Sequence, residues 1–186
     1  CGGRLALWLV AMLKVYHFFW GGFLRYPCNL WYNPIMEGKN MENQPTLRET
    51  KKHGAAWFPF NIYPCAIPQD FTQVALHWQD SMELVFVKNG RGIVQAGLTS
   101  YTAAAGDIYV FAPGVLHALR QLDNERMEYE NIIFDLELLG GSGDVAAEKY
   151  LLPLQSGRLA LPMRLTPDDW SYDWAANCLR AAEEFN

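Results

Sequence analysis

The pattern of hydrophobic and polar positions divides the chain into two unlike parts. Residues 5–24 are almost continuously apolar, whereas from Trp57 to about Glu137 short apolar segments alternate with turn-forming residues. The turn formers are Pro59, Pro64, Pro68, Asn89-Gly90, Gly97, Gly106-Asp107 and Pro113-Gly114. Short strands separated in this way are typical of an all-β sandwich or barrel. The pattern therefore predicts a mainly β domain.

The β region divides further into individual strands. Asn89-Gly90 is predicted to turn a hairpin between strands at 83–88 and 92–96, because Asn-Gly supplies the positive φ angles that a two-residue turn requires. A second turn near Gly97 leads into a strand at 100–103. Later strands are predicted at 107–111, 117–121 and 128–136, and the apolar and acidic residues that alternate over 134–138 indicate a half-exposed edge.

Helices are predicted after the glycine-rich break at 140–144. A short helix is expected at 144–150, followed by an irregular connector, and a second helix is expected to begin at Thr166. Thr166 is a good N-cap, Pro167 suits the first helical position, and two aspartates follow in the first turn. The later apolar positions form one stripe, which packs either on its own domain or at a dimer seam: Trp170, Trp174, Ala175, Cys178, Leu179 and Ala182.

The apolar segment at 5–24 is about as long as a bilayer-spanning helix, which needs roughly 20 residues. Lys14 near its middle makes the free energy of membrane insertion less favourable by on the order of 3 kcal/mol. No small-residue cleavage site of a signal peptide follows it. Because the sequence after Met36 or Met41 begins like an ordinary cytoplasmic protein, we interpret residues 1–40 as non-native or upstream-translated sequence. A membrane anchor and a buried helix stay open as alternatives.

Charge and cysteine content narrow the class of protein. The formal net charge is −5 and the pI is near 5.3, so this segment lacks the positive field that supplies most nucleic-acid affinity. The four cysteines are far apart and form no CxxC pair, which argues against a zinc ribbon or a disulfide framework. A reduced, cytoplasmic setting is expected. The sequence has no phosphate-binding glycine loop and no nucleophile elbow.

The candidate chemistry lies at His77, Gln79, Glu83 and His117. The first three are offset by two and by six residues, so in one strand their side chains share a face, and a closed barrel brings His117 to them. Imidazoles, an amide and a carboxylate together offer hydrogen-bond donors and acceptors that suit a hydroxyl-rich small molecule. The ordinary alternative is that both histidines are hydrogen-bonded core residues.

Two stretches carry a resemblance to a known family: HWQDSMELVFVKNGRG at 77–92 and AGDIYVFAPGVLHAL at 105–119. They resemble the paired motifs of the cupin superfamily. Their particular residues are also similar to those of the N-terminal domain of AraC-type transcription regulators. The resemblance implies a double-stranded β-helix (jelly-roll) barrel at 41–140, followed by a linker and the start of dimerisation helices at 141–186. It also implies a non-enzymatic domain that binds a small effector, commonly a sugar, and forms a homodimer. DNA binding belongs to C-terminal helix-turn-helix motifs, which this chain does not contain.

Metal-dependent cupins place three histidines and a glutamate where this chain has His77, Gln79, His117 and Glu83. The resemblance therefore makes Gln79 the departure. An amide oxygen is a weak ligand compared with imidazole, which argues against a metal. We expect no cofactor. The competing interpretation is a stand-alone metal-dependent isomerase or dioxygenase in which the three remaining residues hold the ion.

The family also carries an aromatic wall at the barrel mouth. Trp57 and Phe60 are predicted to contact the ligand there, with Phe58, Tyr63 and Trp78 as further candidates for stacking on a sugar. The ordinary alternative for the phenylalanines is packing in the core.

Overall fold

The computed structural model describes residues 47–141 and 143–184. The predictions for residues 1–40, including the apolar segment at 5–24, lie outside these ranges. Within them, no helix combines the length and the apolar character that a membrane crossing requires.

Within the described residues, eight antiparallel strands form the domain, which confirms the mainly β prediction. They are β1 (Phe60–Ile67), β2 (Gln73–His77), β3 (Met82–Ala96), β4 (Thr99–Ala104), β5 (Ile108–Phe111), β6 (His117–Gln121), β7 (Met127–Phe134) and β8 (Arg164–Leu165). One sheet has the order β1-β7-β3-β5-β8, and β3 also pairs with β4 and β6, while β6 pairs with β2. The long β3 therefore joins both walls of the barrel.

The hairpin predicted at Asn89-Gly90 is wrong, because β3 continues through it for 15 residues. Instead, the register between β3 and β7 shifts between Val87 and Asn89, and Gly90 adopts a φ of 74°. A Cβ atom at Gly90 would lie 1.9 Å from the carbonyl oxygen of Arg126, so glycine permits a close approach of two backbones. The turn predicted near Gly97 is confirmed, since Ala96 pairs with Thr99 across it.

Two hydrophobic cores lie on opposite faces of β3. Along the strand, Met82, Leu84 and Phe86 alternate with Glu83, Val85 and Val87. The first set belongs to an outer core between the sheet and the C-terminal helices, and the two valines belong to an inner core inside the barrel. Both faces are buried, which explains why this segment reads as a continuous apolar run in the sequence.

The C-terminal elements differ in detail from the sequence predictions. The edge predicted over 134–138 is wrong, because Leu136–Leu139 forms a 3₁₀ turn. The helix expected near 144–150 is present as a π-helical turn, Ala147–Leu151, that runs into α1 (Leu152–Gln155).

The second helix, α2 (Tyr172–Glu183), begins later than predicted. The backbone N–H and the hydroxyl of Thr166 both donate to Asp169, at 2.6 and 2.9 Å, and so close a turn instead of capping a helix. Ala175, Leu179 and Ala182 of the predicted stripe are buried in the outer core, so this part of the stripe packs on its own domain; Ala176, outside the stripe, is buried there too. Trp170 and Trp174 are exposed.

A charged cluster joins the end of α2 to the barrel. Lys88 on β3 donates to both carboxylate oxygens of Glu183, at 2.8 and 3.0 Å, and lies 3.5 Å from Glu130 on β7. Burial, together with the hydrogen bond and charge of Glu183, raises the pKa of Glu130 to about 7. Burial favours a higher pKa for Glu183 too, but its hydrogen bonds with Glu130 and Lys88 lower the pKa. As the pH falls, Glu130 is therefore protonated before Glu183.

We expect Glu130→Gln to flatten the dependence of stability on pH between about pH 5 and pH 8. Because folding raises the pKa of Glu130, its contribution is present at low pH and is lost as the pH rises through about 7. The lowered pKa of Glu183 acts in the opposite sense, and its contribution is lost at acidic pH. Urea unfolding midpoints across this range test the prediction. An unchanged pH profile in the variant contradicts it.

Candidate functional site

Glu83 is the centre of a buried polar cluster at one end of the barrel interior. One of its oxygens accepts hydrogen bonds from Gln79 Nε2 at 2.5 Å and from His117 Nε2 at 3.0 Å. Glu83 and His117 are each 1% exposed and Gln79 is 5% exposed. The hydrogen bonds from these two partners offset the cost of burying the Glu83 side chain so deeply.

The hydrogen bonds of His117 indicate that its ring carries a positive charge. Its Nδ1 lies 2.8 Å from the carbonyl oxygen of Val115, and its Nε2 faces the Glu83 carboxylate. The Val115 oxygen is an acceptor, so Nδ1 donates to it; Nε2 donates as well when Glu83 is ionised, and a ring that donates from both nitrogens is an imidazolium. Burial by itself lowers the pKa of His117, but the hydrogen bond and charge of Glu83 outweigh it and raise the pKa. Glu83 and His117 therefore form a buried ion pair.

The local chain path brings the cluster together differently from the prediction. Strand β2 ends at His77 and β3 begins at Met82, so His77, Gln79 and Glu83 do not share a single strand. The segment between the two strands is held by the loop before β6, because the backbone carbonyl oxygen of Gln79 accepts a hydrogen bond from the N–H of Gly114 at 2.9 Å. The predicted convergence of the three side chains with His117 is nevertheless present.

Aromatic and imidazole rings form one wall of the cluster. His77 and His117 are directly paired across β2 and β6, and their ring centroids are 4.2 Å apart. On its other side, His117 stacks on Phe111 with centroids 4.1 Å apart and an interplanar angle of 7°. Stacking fixes the orientation of a ring whose nitrogens are already hydrogen-bonded.

A second polar group, missed by the sequence analysis, lies beside His77. Glu49 Oε2 is 3.7 Å from His77 Nε2 and 3.6 Å from His53 Nε2, and the other nitrogen of His53 is 3.0 Å from the Tyr63 hydroxyl. Glu49 and His53 precede the first strand. The sequence signal was an acid and a histidine four residues apart, but nothing in it placed them next to His77.

The two aromatic residues predicted to contact the ligand are not brought to the cluster. Phe60 packs against the outer core, on the face of the sheet opposite Glu83, since its strand partner Phe134 is also an outer-core residue. From that position Phe60 does not reach a ligand inside the barrel. Its role is the ordinary alternative, packing in the core. Trp57 is 85% exposed, and its ring contacts Phe58 at a centroid distance of 5.9 Å.

Three residues of the described part can together supply metal ligands. One ligand atom from each of His77, Glu83 and His117 lies within 4.8 Å of the other two. A metal requires deprotonated imidazole nitrogens, yet His117 Nε2 donates to Glu83, and Glu83 also accepts from Gln79. An ion would have to displace these bonds and a proton, so the donor set favours the hydrogen-bonded form.

One known protein family matches more than half of the chain. A model of the family described as AraC-like ligand binding domain matches residues 61–174. No curated protein matches the chain. Among solved structures, a conserved protein of unknown function from Streptococcus pyogenes is 17% identical, with a TM-score of 0.32, over 34% of this chain and 54% of its own. The chain thus spans about half the length of that protein.

Two further solved structures are similar in the same limited way. A cupin 2 conserved barrel domain protein from Salinispora arenicola is 19% identical with a TM-score of 0.39, covering 50% of this chain and 73% of its own. Oxalate decarboxylase from Bacillus subtilis is 17% identical with a TM-score of 0.31, covering 57% of this chain and 22% of its own. The predicted class, a mainly β domain followed by helices, is confirmed. Because the family model matches more than half of its residues, the chain belongs to the AraC-like ligand-binding domain family.

Proposed function

We propose that this domain is the ligand-sensing and dimerisation part of an AraC-type transcription regulator, and that it binds a small hydroxyl-rich effector, a sugar, inside the barrel. The observation that carries the proposal is the buried cluster of Gln79, Glu83 and His117, with His77 at its edge. Membership of the ligand-binding family supports ligand sensing. Catalysis is not part of this role.

Unsatisfied acceptors inside the barrel favour a ligand that donates hydrogen bonds. Gln79 Oε1 and Asn131 Oδ1 are both buried without a hydrogen-bond partner. Asn131 pairs with Val85, an inner-core residue two positions from Glu83, so its side chain faces the same interior. A buried acceptor without a partner costs about 1–3 kcal/mol, which a hydroxyl donor recovers. A sugar supplies such donors around its whole ring.

We expect wild-type protein to bind at least one monosaccharide in a calorimetric panel, and Gln79→Met to weaken that binding about tenfold. Methionine keeps the length of the side chain but removes the amide. The matched control is Gln95→Met, because Gln95 bonds to the carbonyl oxygen of Gly97 at the β3–β4 turn, on the outside of the barrel. Equal affinity in the wild type and the Gln79 variant, or no binding of any sugar, contradicts the proposal.

The proposal also assigns the remaining roles. Dimerisation falls to the C-terminal helices, where exposed Trp170 and Trp174 offer apolar surface. DNA binding falls to a separate segment of the regulator, consistent with the acidic charge of this one. The setting is the cytoplasm. Sedimentation velocity of the purified domain tests the homodimer.

A metal-dependent cupin enzyme is the second candidate. The closeness of His77, Glu83 and His117 is the observation that favours it. If these residues held an ion, it would supply Lewis-acid or redox chemistry, and the residues would anchor it. Elemental analysis of protein purified without chelators separates the two candidates. Stoichiometric iron, manganese or zinc accompanied by turnover supports the enzyme.

A further inference from the structure

We infer that Glu49 binds an ammonium group, so that the preferred effector is a sugar that carries an amine and binds more tightly than a neutral sugar. The inference rests on the proposed function, because it places a second, charged subsite beside the cluster around Glu83. It is carried by the position of Glu49, by the residues that hold it there, and by the absence of a fixed cation partner within the described residues.

The Glu49 carboxylate lies between two imidazoles at the edge of the cluster. Its Oε2 atom is 3.6 Å from His53 Nε2 and 3.7 Å from His77 Nε2. The Glu49 side chain is 28% exposed, whereas that of His77 is 18% exposed and that of His53 is 5% exposed. Glu49 is therefore the member of this group that an incoming molecule meets first, and His77 connects it to His117.

The surrounding structure fixes the position of Glu49. Its backbone N–H donates to Trp78 O at 2.8 Å, and the N–H of Trp78 donates to Leu47 O at 2.9 Å. These bonds attach the segment before β1 to the chain just after β2. The carboxylate thus sits on a hydrogen-bonded backbone, as a preformed binding group requires.

His53 acts as a positioning residue for this carboxylate. Its Nδ1 atom is 3.0 Å from the Tyr63 hydroxyl, which anchors the ring, and the two rings meet edge to face. Its Nε2 atom is buried, has no hydrogen-bond partner, and is directed towards Glu49. A short movement of the carboxylate towards His53 or His77 completes a hydrogen bond with either ring.

The charge balance identifies the missing partner as a cation. Among the described residues, Glu49 forms ion pairs only with histidines, and no lysine or arginine pairs with it. Arg48 pairs with Asp80, and the Lys51 ammonium lies over the Tyr63 ring, 5.0 Å from its centroid. Glu83, in contrast, is matched by His117. An ammonium on the ligand supplies the charge that Glu49 lacks, while the ligand's hydroxyls reach the acceptors near Glu83.

The test compares two small probes with the same carbon skeleton, 2-amino-1,3-propanediol and glycerol. They differ only in an ammonium or a hydroxyl at the central carbon. Binding to the whole chain is followed by NMR shifts of the histidine side chains. We expect the amine to bind about fivefold more tightly than glycerol, as for a partly exposed ion pair. Glu49→Gln is expected to remove the preference, and the control Glu125→Gln, at an exposed residue paired with Arg91, to retain it.

The binding results for the two probes either support or overturn the ammonium subsite at Glu49. Equal binding of the two probes, no binding of the amine, or a preference that survives in Glu49→Gln overturns it. If a neutral sugar binds in the calorimetric panel while the amine preference is absent, the proposed function stands and only the ammonium subsite is rejected. If neither sugars nor probes bind, both are rejected.

Discussion

Replacing Glu83 by alanine is expected to lower the free energy of unfolding by about 3–5 kcal/mol. The substitution leaves the His117 imidazolium and the Gln79 amide buried without their shared acceptor, in a site where these side chains are 1% and 5% exposed. Chemical denaturation monitored by circular dichroism measures the loss. Glu125→Ala removes an exposed carboxylate and is the matched control, with an expected change of about 0.5 kcal/mol or less.

A second variant distinguishes loss of the ion pair from loss of packing. The double substitution Glu83→Leu with His117→Phe removes both charges, so it is expected to recover part of the stability that Glu83→Ala loses. A loss in Glu83→Ala no larger than that in Glu125→Ala would show that the pair contributes nothing. If the double variant is less stable than the single one, charge isolation is not the cause of the loss.

Gly90→Ala is expected to cost about 3 kcal/mol, of which the positive φ accounts for about 1–2 kcal/mol. Gly90 has a φ of 74°, and an added Cβ would lie 1.9 Å from the Arg126 carbonyl oxygen. This neighbour is backbone just before β7, and it has little freedom to move because the Arg126 oxygen accepts a hydrogen bond from the N–H of Arg91 at 3.0 Å. The measurement is the midpoint of urea unfolding.

Gly114→Ala provides the control for Gly90→Ala. Gly114 has a similar φ of 80°, but a Cβ added there would have no neighbouring atom within 4 Å. Only backbone strain is expected there, about 1 kcal/mol. Equal losses in the two variants would mean that the backbone around Gly90 relaxes to accept the new methyl group and that the close approach to Arg126 is not what requires glycine.

The sequence predicted the class of fold from its turn residues and the main polar cluster from the two motifs that contain His77, Glu83 and His117. The single strand assumed for the first motif was wrong, because β2 ends at His77 and β3 begins at Met82. It did not reveal the bulge between Val87 and Asn89, just before Gly90, because Asn-Gly serves a hairpin and a bulge equally well and β3 is buried on both faces. Only the pairing with β7 decides between these two structures, and pairing is a tertiary property.

Residues outside the motifs were less predictable for the same reason. Glu49 lies 28 positions before His77, and its place beside that ring depends on backbone bonds between the segment before β1 and Trp78. Thr166 has every local feature of a helix N-cap, yet its hydrogen bonds with Asp169 close a separate turn. At such positions tertiary packing overrides the local preference of the sequence for one secondary structure.

Strand β3 also determines the distance between the barrel interior and the C-terminal helix α2, because it lines both. Glu83 points into the barrel, and its neighbours in sequence, Met82 and Leu84, belong to the core against which α2 packs. Only one peptide unit therefore separates the proposed effector site from the surface against which the helix packs. A displacement of Glu83 by a bound molecule is mechanically also a displacement of that seat, without any intervening relay of side chains.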